Sequence, residues 1–72
     1  MSSFGDILRN LRVSKKIYQK DIAEFLNIST RAYQYYETGS RYPDFQGLIA
    51  LADYFDVSLD YLVGRSDNPT RQ

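Results

Sequence analysis

Residues 19–39, QKDIAEFLNISTRAYQYYETG, decide the fold of this chain. Ile22, Ala23 and Leu26 recur at the spacing that gives a short helix one apolar stripe. Asn27 ends it, because asparagine tolerates the left-handed backbone of a tight helix exit. Ile28 fills the turn. Ser29 has the side chain that caps a new helix, and Gly39 closes that helix by a second left-handed step. The stretch therefore reads as two short helices joined by a tight turn, spanning residues 18–38.

The second of these helices, residues 30–38, has two unlike faces. Successive residues advance by about 100° around a helix axis, so with Tyr33 at zero, Tyr36, Ser29 and Glu37 fall on its side and Ala32 at the margin. Thr30, Arg31, Gln34, Tyr35 and Thr38 occupy the opposite arc, between roughly 60° and 200°. The inward set is mostly aromatic, while every outward residue can donate or accept a hydrogen bond. An exposed helix face is often polar for no reason beyond solvation. These types nevertheless match base edges. Arg31 offers two parallel donors for guanine O6 and N7, Gln34 can pair with adenine, and Thr30 reaches a base, a phosphate or a thymine methyl. Tyr35 can stack or bond a phosphate.

Outward from this pair the chain keeps to helices. Phe4, Ile7, Leu8 and Leu11 follow the amphipathic spacing, starting near Ser2 or Ser3 and fading between Ser14 and Lys16. Residues 40–43, SRYP, form a loop, since proline disfavours helix in the residue before it. Asp44 then caps a fourth helix, with Phe45, Leu48, Ile49, Leu51, Ala52 and Phe55 available for burial. Ser58 caps a short fifth helix burying Leu59, Leu62 and Val63 before Gly64. Residues 65–72 read as a flexible tail or linker, which would suit a missing C-terminal domain. The expected fold is all-α, a bundle of five short helices over residues 1–64 with no strand.

Bulk composition narrows the chemistry. With 72 residues there is one small core, and nearly every apolar side chain must serve it. Neither cysteine nor histidine is present, which removes thiolates, imidazole bases and the usual zinc ligands together. No metal, cofactor or catalytic residue is expected, nor an enzyme, because no pair of carboxylates, lysines or tyrosines has a catalytic spacing. No basic stretch precedes an apolar run at the N-terminus, and residues 48–52 fall far short of the ~20 needed to span a bilayer. A cytoplasmic location fits. Net charge is zero, yet it is polarised. Residues 1–43 carry seven cations against four anions, a balance of +3, and residues 44–72 two against five, a balance of −3. The basic half contains the helical pair.

From Phe4 to Leu62 the chain resembles the Cro/repressor type of helix-turn-helix domain, the XRE family of phage and bacterial transcription regulators, with a lambda-repressor-like fold. The marks are Ile-Leu-Arg-Asn-Leu-Arg12, Gln19-x-x-Ile-Ala23, Ile28-Ser29, Tyr36-Glu-Thr-Gly39, Pro43, Leu48-x-x-Leu-Ala52 and Val57-Ser-Leu-Asp-x-Leu62. Each is weak alone; their joint order carries the resemblance. It implies that Gln19 touches a phosphate and braces a neighbouring recognition residue, and that Thr30, Arg31 and Tyr35 read bases with Gln34 beside them. It implies further that Arg41 and Tyr42 follow the DNA backbone, and that Arg12 and Glu37 form a partly buried structural ion pair. Three departures stand out. Tyr18 replaces a capping Ser or Thr, Lys16 and Asp56 stand where glycine is common, and Tyr33 and Tyr36 bring two hydroxyls to an apolar face.

The expected function is sequence-specific binding of double-stranded DNA by a transcription regulator, a repressor that inserts residues 30–38 into the major groove. Gln19, Lys20, Ser29, Arg41 and Tyr42 would contact phosphates; Thr30, Arg31, Gln34 and Tyr35 would read bases. A domain this small would act as a homodimer on a palindromic operator, with Tyr54, Leu59, Tyr61 and Val63 the candidate dimer surface. Zero net charge and seven tyrosines keep a rival open, a protein-interaction module on the same fold such as an antitoxin or adaptor.

Overall fold

A computed structural model of the chain describes residues 3–71. Five helices follow one another: α1 (Phe4–Ser14), α2 (Gln19–Leu26), α3 (Thr30–Thr38), α4 (Phe45–Phe55) and α5 (Leu59–Leu62). Among the described residues there is no strand. Ser2, one of two starts considered for α1, lies outside them. Ser3 caps that helix, its hydroxyl accepting from the Asp6 amide.

Four helices start on the same local device. Ser3, Ser29, Asp44 and Ser58 hold extended backbone while their side-chain oxygens accept from the amide three residues on. Only α2 lacks it, because Tyr18 has no oxygen within reach of those amides. The acidic Asp21 in its first turn complements the exposed amides instead.

Three exits share a second device. Lys16, Asn27 and Asp56 are left-handed, with φ of 57°, 59° and 56°. Each is followed by an aliphatic residue whose amide reaches back five positions: Ile17 to Arg12, Ile28 to Ala23 and Val57 to Ala52, at 3.1, 2.9 and 3.0 Å. The paired carbonyls satisfy the helix ends, and the aliphatic side chains turn in against the core. For Lys16 and Asp56, the left-handed backbone costs about 1 kcal/mol that glycine would avoid.

The core gathers Leu8 from α1, Ile22 and Ala23 from α2, Tyr33 from α3, Leu51, Ala52 and Phe55 from α4, Val57, and Leu62 from α5. Helix α3 packs against both α1 and α2, while α5 packs against α4 and α1. One face of α3 is thereby used up in packing.

Three residues expected to bury do not. Phe45 is 67% exposed, because the first residue of α4 lies beyond the packed layer. Leu59 and Val63 are each 37% exposed: α5 is a single turn, and only Leu62 on it faces fully inward. The segment after Gly64, read from sequence as a tail or linker, turns back over the end of α4. The Ser58 amide donates to the Pro69 carbonyl at 3.0 Å. Arg71 donates to the Ala52 carbonyl at 3.3 Å and pairs with Asp53 and Asp56.

Candidate nucleic-acid interface

The turn at Asn27 sets α3 so that Tyr33 is wholly buried while Thr30, Arg31 and Gln34 are exposed together on the far side. Tyr35 lies at the edge of this surface, half-buried. Its ring is covered by Arg41, whose guanidinium carbon sits 4.8 Å from the ring centroid, and its carbonyl accepts from the Arg41 amide at 3.2 Å. The cation–π stack fixes the loop after α3 against the helix. One residue expected to read bases and one expected to follow the backbone thus form a single unit. Tyr42 is 69% exposed beside Phe4, and Lys20 is exposed on the first turn of α2. The Ser29 hydroxyl accepts the Ala32 amide at 3.0 Å, which leaves its own hydrogen to donate outward.

Behind this face runs a chain of side-chain hydrogen bonds that sequence reasoning found only in part. Arg12 and Glu37 form a two-pronged ion pair: Nε donates to Oε2 at 2.6 Å and Nη2 to Oε1 at 3.2 Å. The third nitrogen, Nη1, donates to the Ile17 carbonyl at 2.9 Å, tying the exit of α1 to α3. Gln19 Nε2 joins at Glu37 Oε1, 3.1 Å away, and Gln34 Nε2 donates to Gln19 Oε1 at 3.1 Å. Side chains of α1, α2 and α3 meet in one network that ends on the exposed face.

Glu37 is held by competing effects. Burial alone would raise its carboxyl, but the polar groups around it, Arg12 above all, outweigh that and keep the group below the ordinary carboxylate range. The same pair raises Arg12, chiefly through the hydrogen bond to Glu37. Both are charged at neutral pH, and the Glu37 side chain is only 4% exposed.

Tyr33 is the odd member. Burial first, then the Glu37 carboxylate, push its hydroxyl well above the usual phenol range. The oxygen is buried and meets no partner at hydrogen-bonding geometry among the described residues. Removing it deletes a desolvated group that makes no bond, so Tyr33→Phe should change stability by less than about 0.5 kcal/mol, or raise it. Denaturant unfolding checks this; a loss above about 1 kcal/mol would assign the hydroxyl a bond.

No cluster of His, Cys, Asp or Glu among the described residues is arranged to hold a metal ion, and no helix is long and apolar enough to cross a membrane.

A family model described as helix-turn-helix matches residues 8–62. The uncharacterized HTH-type transcriptional regulator YqaE of Bacillus subtilis (strain 168) is 43% identical over 65 residues, covering 90% of this chain and 56% of the relative. The cryptic phage CTXphi transcriptional repressor RstR of Vibrio cholerae is 34% identical over 58 residues, covering 81% of this chain and 52% of the relative. The chain spans about half the length of these curated relatives. Among solved structures, the P22 c2 repressor in complex with a synthetic operator superposes with a TM-score of 0.84 at 26% identity, covering 92% of this chain and all of that one. A transcriptional regulator from Listeria innocua gives 0.85 at 39% identity, covering 92% of this chain and 62% of that one.

Proposed function

The chain belongs to the XRE-type helix-turn-helix family, and from that premise we propose that it binds double-stranded DNA sequence-specifically as a transcription regulator, a repressor, with α3 in the major groove of its operator. The observation that carries the reading is the shared exposure of Thr30, Arg31 and Gln34 on α3, on the arc turned away from the buried Tyr33. The helix is held from behind by packing and by the Arg12–Glu37 pair, so its outer face is presented on a rigid element. The P22 c2 repressor, with the same fold, is described in complex with operator DNA, which supports the same use here.

Two kinds of contact divide the work. Lys20, Arg41, Tyr42, Ser29 and Gln19 suit phosphates, which set position and make binding salt-dependent. Gln19 opens α2, whose amide-rich N-terminus favours a phosphate as well. Arg31, Gln34, Thr30 and the Arg41-stacked Tyr35 supply base preference. One such face is small, so the regulator works as a homodimer on a palindromic site, with half-sites roughly 34 Å apart or a multiple of that. Leu59 and Val63, exposed next to half-buried Tyr61, are with half-buried Tyr54 the surface assigned to that dimer.

Selection from a random duplex pool tests the reading. The wild type should recover a two-fold symmetric motif. Arg31→Ala should lose preference at one base pair of each half-site, by about 1–3 kcal/mol, with the others kept. Lys20→Ala should weaken every sequence alike and reduce the salt slope by about one. Equal loss on all DNA for Arg31→Ala would remove its base-reading role.

A further inference from the structure

The hydrogen-bond chain from Arg12 to Gln34 has a direction that chemistry dictates. Arginine can only donate, and an ionised carboxylate can only accept. Glu37 therefore demands a donor from Gln19, and the side-chain nitrogen of Gln19 must face it. The Gln19 amide is then fixed, with its carbonyl oxygen turned to Gln34. That oxygen in turn demands a donor, so the nitrogen of Gln34 must face Gln19. Neither amide can flip without setting oxygen against oxygen. A glutamine on an exposed helix face ordinarily has no such constraint. Here one hydrogen of the Gln34 amide is taken, while its second hydrogen and its carbonyl stay free of the relay.

We infer that Glu37, 3.1 Å from Gln19 and without exposure of its own to the groove, is a positioning residue for base recognition: through Gln19 it fixes which way the Gln34 amide faces. The remaining pair on Gln34, one acceptor beside one donor in set order, complements the N6 donor and N7 acceptor of adenine. The Arg12–Glu37 pair thus does more than join two helices, since its sign sets a polarity that reaches the exposed face. This role rests on the DNA-binding function proposed above.

The test compares Glu37→Gln and Gln19→Met with the wild type, each as the full 72-residue chain. Glu37→Gln keeps the shape but can donate or accept, so the relay loses its enforced direction. Gln19→Met removes the relay and leaves the ion pair, and it is read in the same way if Glu37→Gln fails to fold. Selection from a random duplex pool should show the adenine preference that Gln34→Ala abolishes weakened by about fivefold or more in either variant, with the Arg31 position unchanged. A purely structural Glu37 would lower affinity on all sequences and leave the motif alone. Side-chain amide NMR gives a DNA-free readout: one Gln34 amide hydrogen should exchange slowly in the wild type and lose that protection in Gln19→Met. A folded variant with an unaltered motif, or a Gln34 amide that exchanges like a free one in the wild type, overturns the role of Glu37. A wild type that selects no motif overturns the DNA-binding function first, and this role with it.

Discussion

Glu37→Ala should be among the most damaging single substitutions in this protein, lowering stability by about 3–5 kcal/mol. The reason is asymmetry. A surface ion pair contributes little, and an intact buried pair is often no better than packed hydrocarbon. Removing one partner is different, because the other stays desolvated. Without Glu37 the Arg12 guanidinium keeps only the Ile17 carbonyl, with its side chain 15% exposed, and Gln19 loses its acceptor. A chain of this length has roughly 4–11 kcal/mol in total, so the variant should be close to unfolded at 37 °C. Denaturant unfolding at neutral pH measures it, and a loss below about 1 kcal/mol would place Glu37 in effectively aqueous surroundings. Acid acts on the same group. Its folded carboxyl titrates below the ordinary range, so the unfolded chain binds more protons in the window between the two values. The stability it provides is complete above the unfolded value, near pH 4.3, and is lost as pH falls through the folded one. Wild-type stability should therefore fall with acidification below about pH 5, and Glu37→Ala should lack that part of the slope.

What the residues disclose in advance follows the range of the interactions. The caps at Ser3, Ser29, Asp44 and Ser58 span three positions, so a short window of sequence contains the whole device. The left-handed exits are equally local, and Asn27 and Gly39 announce themselves by residue type. Lys16 and Asp56 do not; they are marked only by the resemblance, in which glycine is common at both positions. The outward arc of α3 comes from helix geometry once Tyr33 is known to point inward. Burial at element ends is harder. A stripe gives the direction of a side chain but not whether a neighbour lies in that direction, which is why Phe45, Leu59 and Val63 read as core and stand exposed. The relay is the least legible part. Its bonds join residues 25, 18 and 15 positions apart, and no local pattern marks Gln19 and Gln34 as partners. The turn of residues 65–71 over α4 is hidden for a similar reason. Its polar composition describes a tail, whereas its position depends on the free Ser58 amide and on carboxylates some fifteen residues away.

Gly5→Ala is the other substitution with a large expected effect, and it looks harmless on paper. Glycine is the poorer helix former, so alanine within α1 should stabilise by about 1 kcal/mol if nothing else changed. Gly5, however, is buried where α1 crosses α3. A Cβ there would overlap the Glu37 carbonyl oxygen, with the Glu37 carbonyl carbon at 2.9 Å and the Tyr36 carbonyl oxygen at 3.0 Å. All three are backbone atoms of one helix, so no rotamer change relieves the clash; the two helices must move apart. Overpacking of this kind costs about 1–3 kcal/mol and sometimes more, and at a backbone contact the upper end applies. The clash outweighs the propensity gain, for a net loss of about 2 kcal/mol and a melting temperature lower by roughly 8–16 °C. Gly47→Ala is the matched control. Its Cβ would meet Cβ of the buried Pro43 at 2.9 Å and the Asp44 carboxylate that caps α4 at 3.2 Å, so the start of α4 must shift while α1 and α3 keep their approach. That variant should lose less than Gly5→Ala, because the clash is confined to the first turn of α4 and helix propensity offsets part of it. The two alanines also differ in reach. Separation of α1 from α3 pulls Arg12 away from Glu37, so Gly5→Ala should weaken the proposed DNA binding at temperatures where the domain is still folded, whereas Gly47→Ala should leave it intact. Thermal unfolding followed beside DNA binding at 10 °C resolves the two effects. Equal stability of the two variants would mean that α1 and α3 do not approach as closely as their backbones indicate.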